Sequence, residues 1–214
     1  MEILNTTGHP LVNPLRYDVY KNIVDALVQQ QSTTGEEQTA ERIGFTRLNQ
    51  QRMKRVEKQF SLLPELREQL HQHQPRWNWR VLVEAWCGDG AQLLPAIAAI
   101  AAEAPGIELT VLLRDENPQL MDTCLTNGSR AIPILICEDA ETGERVFTWG
   151  PRPKAIQEKA QQFKAGNPGA DHEAFVLQLH TWYAKDRSEA LQQDLLKKLQ
   201  QVFAVRAYEP EYCI

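Results

Sequence analysis

Cys87 is the residue whose type and setting could do chemistry first. It lies in Trp86-Cys87-Gly88-Asp89-Gly90-Ala91-Gln92, between an apolar β-branched run (Val81-Leu82-Val83-Glu84-Ala85) and an Ala/Leu/Ile-rich stretch from Leu93 to Ala102. That order predicts strand, glycine-bearing turn, helix. The turn places the thiol at a helix N-terminus, where unpaired N–H groups and the helix dipole favour negative charge. A free thiol titrates near ~8.5, and helix N-termini can lower it to roughly 3.5–7.5, so the expectation is a nucleophilic thiolate. Glu84 and Asp89 act the other way, raising the pKa by like charge. Two readings of Cys87 stand: a reactive thiol, or an inert remnant on a scaffold with other work.

The neighbours carry the same duality. Asp89 is read as the helix cap ahead of a proton carrier. Gly88 and Gly90 would let a substrate chain approach the backbone closely. Trp86 flanks the substrate or packs. Cys124 and Cys213 are candidate resolving thiols, because a sulfenic acid or mixed disulfide needs a second thiol for turnover. Cys137 sits in an apolar run and reads as core.

Three motifs carry a resemblance. Trp86-Cys87-Gly88 with Pro95 eight residues after the cysteine, Arg130-Ala131-Ile132-Pro133-Ile134-Leu135-Ile136, and Thr142-Gly143-Glu144 through Gly150 follow one another in the chain. Their order and spacing resemble the thioredoxin family over roughly residues 75–165: the active-site turn, the cis-proline strand entry, and the last hairpin. The resemblance implies a cis bond before Pro133, an Ile132 backbone free to pair with an extended substrate, and Arg130 placed to meet a carboxylate such as that of glutathione, or else a solvated surface arginine. It also implies thiol–disulfide exchange on a protein or small-molecule disulfide, with glutathione as the cosubstrate it allows. One departure is decisive: Gly90 stands where the family's second cysteine belongs, so no dithiol cycle runs within the motif. Single-thiol exchange is therefore one expected function, and a redox-inactive peptide- or protein-binding module is the alternative. A [2Fe–2S] cluster shared between two chains, as in single-cysteine glutaredoxins, is a third.

The elements that must position Cys87 follow from periodicity. Helices are expected over Tyr17–Gln30, Thr39–Phe60 and Leu66–His73, with an extended arm before them. Strands are expected at 78–84, 107–113, 132–137 and 145–149. Helices fall at 89–103, from the Asn117-Pro118 cap to about Leu125 with Asn127-Gly128 as its stop, and from Gly150-Pro151-Arg152-Pro153 to Ala165. Two more helices follow Gly166-Asn167-Pro168-Gly169, one bearing Leu179, Trp182 and Tyr183. The fold class is α/β: a thioredoxin-like mixed sheet flanked by helices. Residues 1–74 form an arm and helices on the core, 75–165 the core, and 166–214 a helical extension.

Composition excludes several classes. A net charge of −5 disfavours nucleic acid and anionic membranes as partners. No stretch reaches the ~18 apolar residues of a membrane span. The start Met1-Glu2-Ile3-Leu4-Asn5 lacks a signal peptide's basic and apolar regions. Four scattered cysteines with no CxxC pair argue against zinc or a disulfide framework and point to a reducing, cytoplasmic compartment. The five histidines form no metal set; His172 and His180 share a helix face but make only a two-residue site. No resident cofactor is expected, and the oligomeric state is open.

Overall fold

The computed structural model describes residues 10–208. Its centre is a four-stranded mixed sheet in the order β2-β1-β3-β4. β1 (Trp77–Val83) runs parallel to β2 (Ile107–Leu113) and antiparallel to β3 (Ile134–Asp139), which pairs antiparallel with β4 (Arg145–Trp149). β1 is covered on both faces: Trp77, Trp79, Val81, Leu82 and Val83 are all buried. A continuous apolar run of this kind is what a central strand between two helical layers requires. Its one charge, Arg80, is neutralised inside the sheet by Glu138 of β3.

α4 (Gly88–Glu103) crosses from β1 to β2 and buries Leu93, Leu94, Ala96, Ile97 and Ile100. α2 (Ala40–Gln59) starts at Thr39, whose hydroxyl accepts the Arg42 N–H at 3.2 Å, and packs against α4 through Met53 and Val56. α1 (Tyr17–Gln29) buries Tyr20 and Val24, and α3 (Pro64–His73) buries Leu66 and Leu70. α6 (Lys154–Gly166), α7 (His172–Asp186) and α8 (Glu189–Tyr208) complete the chain, and their apolar residues Ile156, Leu179, Leu191 and Leu195 join the same core as β1. Among the described residues no helix is long and apolar enough to cross a membrane.

Three local expectations are corrected. α5 is only Pro118–Asp122, and Asn117 does not cap it. The Asn117 side chain instead exchanges hydrogen bonds with the Val12 backbone and donates to Leu113 O, tying the N-terminal arm to β2. Asn127-Gly128, both at positive φ, turn the chain between Thr126 and Ser129 and stop no helix. β3 begins at Ile134 and not Ile132, because the cis Ile132–Pro133 bond turns the chain into the strand.

Candidate functional site

The backbone entering the Trp86-Cys87 turn is held from outside the sheet. The Ala85 N–H donates to Thr34 Oγ1 at 2.9 Å, and Ala85 O accepts from Asn49 Nδ2 at 2.8 Å. Cys87 N then bonds Glu84 O at 3.0 Å, closing the turn. Cys87 is the N-cap residue of α4, and its Sγ accepts the Gly90 N–H at 3.3 Å. The same sulfur donates to Ile132 O at 3.4 Å, beside the cis-proline.

The expected thiolate is not what this geometry makes. Cys87 is 7% exposed and belongs to an apolar cluster with Leu11, Leu82, Met121 and Ile132. Burial, followed by the charge of Asp89, pushes the thiol up to about 12; the Gly90 N–H and Arg152 oppose this without overcoming it. The sequence reveals the helix N-terminus but not the apolar residues that remove water from the sulfur. Ile132 O already accepts the Cys87 thiol, which leaves one of its two lone pairs for any further donor.

Asp89 is not the cap. It is 8% exposed and accepts from Arg152 Nε at 2.9 Å through both oxygens, from Arg152 Nη2 at 2.7 Å, and from the Tyr183 hydroxyl at 2.6 Å. It thus joins α4 to the β4–α6 loop and to α7. Arg152 and Tyr183 were visible in the sequence only as a helix entry and an apolar marker. Nothing local pairs them with Asp89, 63 and 94 residues away.

The glycines serve the protein's own packing. A Cβ on Gly88 would lie 2.7 Å from His180 Nε2, so that close approach is taken by α7 and not by a substrate. A Cβ on Gly90 would overlap the Val83 γ-methyl. Gly90 is where α4 meets β1. His180 sits among Arg52, Arg55 and Arg152, and burial first, then these charges, lowers its pKa to about 3. Gln92 Oε1 accepts from Arg55 at 2.8 Å, so Gln92 Nε2 donates to His180 Nδ1 at 2.9 Å and the ring proton rests on Nε2. Arg52, which donates to Asn49 Oδ1 at 2.6 Å, is lowered to about 10 by burial and Arg55.

Trp86 is half-buried, with the Arg42 and Arg114 guanidinium carbons 4.5 and 5.0 Å from its ring centroid. Its Nε1 is buried without a hydrogen-bond partner. Arg130 is exposed and forms a two-pronged pair with Asp122 at 2.7 Å. Pro133 is buried. Cys124 is half-buried with Sγ 3.2 Å from Leu120 O, Cys137 is buried in β3, and Cys213 lies outside the described residues. His172 opens α7 in an exposed position while His180 is packed on Gly88, and no group of three or more His, Cys, Asp or Glu among the described residues could hold a metal ion.

A mixed sheet with an N-capping cysteine between β1 and α4, facing a cis-proline that leads into β3, defines a thioredoxin fold. The thioredoxin family model matches residues 35–164, more than half the chain, and the protein belongs to that family. Two solved structures share the fold. One is a protein of unknown function, PA1234, from Pseudomonas aeruginosa: 21% identity, TM-score 0.52, covering 87% of this chain and 98% of that one. The other is an HIV epitope-scaffold of the 4E10 series: 20% identity, TM-score 0.51, covering 87% and 99%. At these identities the likeness concerns fold alone. No curated protein matches the chain.

Proposed function

We propose that the protein is a binding module on the thioredoxin fold that does not cycle disulfides. The observation carrying this reading is the setting of Cys87: 7% exposed, its Sγ bonded to Ile132 O and Gly90 N, with Gly90 in place of a second thiol. A thiol–disulfide cycle needs an exposed thiolate and a group to release the mixed disulfide. A buried sulfur and a motif without a second thiol weigh against such a cycle, and a fold does not by itself fix an activity.

Single-thiol exchange with a protein or glutathione mixed disulfide is the second reading. One arrangement favours it: the sulfur accepts an amide N–H at the start of α4 beside the cis-proline, the geometry that would hold a thiolate once water reached it. Exchange by that route requires the apolar residues around the sulfur, Leu11, Met121 and Ile132 among them, to open.

Alkylation of the native protein, resolved by mass spectrometry, decides between them. A thiol at about 12 is ionised at pH 7 about three orders of magnitude less than a free one near ~8.5. Cys124 is expected to react first and Cys87 to lag. Reaction of Cys87 at pH 7 as fast as a free thiol, or glutathione mixed-disulfide reduction abolished by Cys87→Ser, would overturn the binding reading in favour of exchange.

A further inference from the structure

A cleft of about 590 Å³ opens beside Trp86, outside the carboxyl ends of the parallel strands β1 and β2. Crevices at that end of parallel strands are where α/β folds place ligands. Its lining includes Glu37, Arg42, Glu84, Arg114, Asp115 and Arg130. We propose that this cleft binds a primary ammonium group, with Glu84 as its counter-ion. The inference rests on the binding reading above, but its test uses no thiol chemistry, so alkylation of Cys87 can overturn one and leave the other standing.

The pairing of charges carries the argument. Each arginine of the cleft already has a carboxylate: Arg42 on Glu37 at 2.8 Å, Arg114 on Asp115 at 2.7 Å, Arg130 on Asp122 at 2.7 Å. Among the described residues Glu84 has no cation within ion-pair distance; Arg114 acts on it only from farther off. It is 1% exposed; Oε1 accepts the Asp115 N–H at 2.9 Å, while Oε2 is buried and has no hydrogen-bond partner. Buried polar atoms are nearly always satisfied, so an orphan carboxyl oxygen at a cleft is a recognition element in waiting. The charge left over is negative, so the fitting ligand is a cation.

Two observations narrow the cation. No group of three or more metal-ligating side chains exists among the described residues, which disfavours a metal ion. Only one Glu84 oxygen lacks a partner, so a guanidinium fork would waste half of its bidentate geometry; a compact ammonium would not. Burial raises the Glu84 pKa, with the Thr34 hydroxyl and the Asp115 N–H opposing. A bound ammonium would supply the missing donor and favour the ionised carboxylate.

The ammonium could belong to a small amine or to a peptide lysine, and the probes separate these. Butylammonium, 1-butanol, inorganic phosphate and a blocked tripeptide with a central lysine are titrated into the ¹⁵N-labelled full chain, with the Asp115 amide as reporter. Saturable shifts with butylammonium or the lysine peptide, and none with butanol, support the site; the tighter of the two identifies the source. Glu84→Gln keeps an acceptor for the Asp115 N–H and is expected to weaken binding about 30-fold or more, the low end for removing one member of a buried charge pair. If that variant fails to fold, the comparison of butylammonium with butanol on the native protein still decides. Absence of saturation with either ammonium, an equal response to butanol, a response to phosphate alone, or unchanged affinity in Glu84→Gln would overturn the proposal.

Discussion

Tyr183→Phe tests whether α7 is docked on α4 through Asp89. The change removes one oxygen and leaves the ring in place, so packing volume is kept. What is lost is a hydroxyl donating at 2.6 Å to a carboxylate, between residues 5% and 8% exposed. Hydrogen bonds to charged groups are worth about 1.5–3 kcal/mol, and Arg152 still holds the carboxylate from its other side, so the expected loss is about 2 kcal/mol. With a urea slope near 2 kcal/mol/M, that lowers the unfolding midpoint by about 1 M with the slope unchanged. Asp89→Asn should cost more, about 3–5 kcal/mol, because it leaves a half-buried Arg152 without its counter-ion. The two changes share a partner, so their combined effect should fall short of the sum by at least about 1 kcal/mol. A Tyr183→Phe protein within about 0.5 kcal/mol of the wild type, or strict additivity with Asp89→Asn, would refute the docking argument.

Two further outcomes follow from the same packing. Gly90→Cys does not simply restore a dithiol: its Cβ meets Val83, and such overpacking costs about 1–3 kcal/mol. Adding Val83→Ala should recover part of that loss in thermal or urea unfolding, and a fully stable Gly90→Cys alone would contradict it. His180, held neutral down to about 3, gives a pH signature. The unfolded chain protonates its histidine near ~6.5 while the native chain does not, so the native advantage is complete above that pH and is lost progressively toward pH 3, by up to a few kcal/mol. His180→Gln should flatten the stability slope across this window, and an unchanged slope would show that some other group sets it.

The sequence was readable wherever the signal was local. Apolar runs separated by Gly and Pro placed β1, α4, β2 and β4 within a residue or so, because strand and helix periods are written in neighbouring positions. Local chemistry misled where a distant group competed for it. Asn117 looks like a cap until Val12 offers a better bond, and Asp89 looks like one until Arg152 and Tyr183 arrive from the other end of the chain. Cys87 follows the same logic: its helix position is local, its desolvation is not. The His180 ring over Gly88 and the orphan Glu84 oxygen arise only from tertiary packing.

The two hydrogen bonds on Ala85 have a consequence for how the chain can be cut. Just past the end of β1, the N–H and C=O of Ala85, in two successive peptide groups, are served by Thr34 and Asn49, residues a minimal thioredoxin unit beginning near residue 75 would discard. Each buried peptide group so stranded costs about 1–3 kcal/mol. The segment before α2 and the third turn of that helix therefore behave as a splint set across the Trp86-Cys87 turn. A shortened protein would lose the shape of that turn before it lost its sheet. A working truncation has to start upstream of Thr34, whatever the strand count suggests.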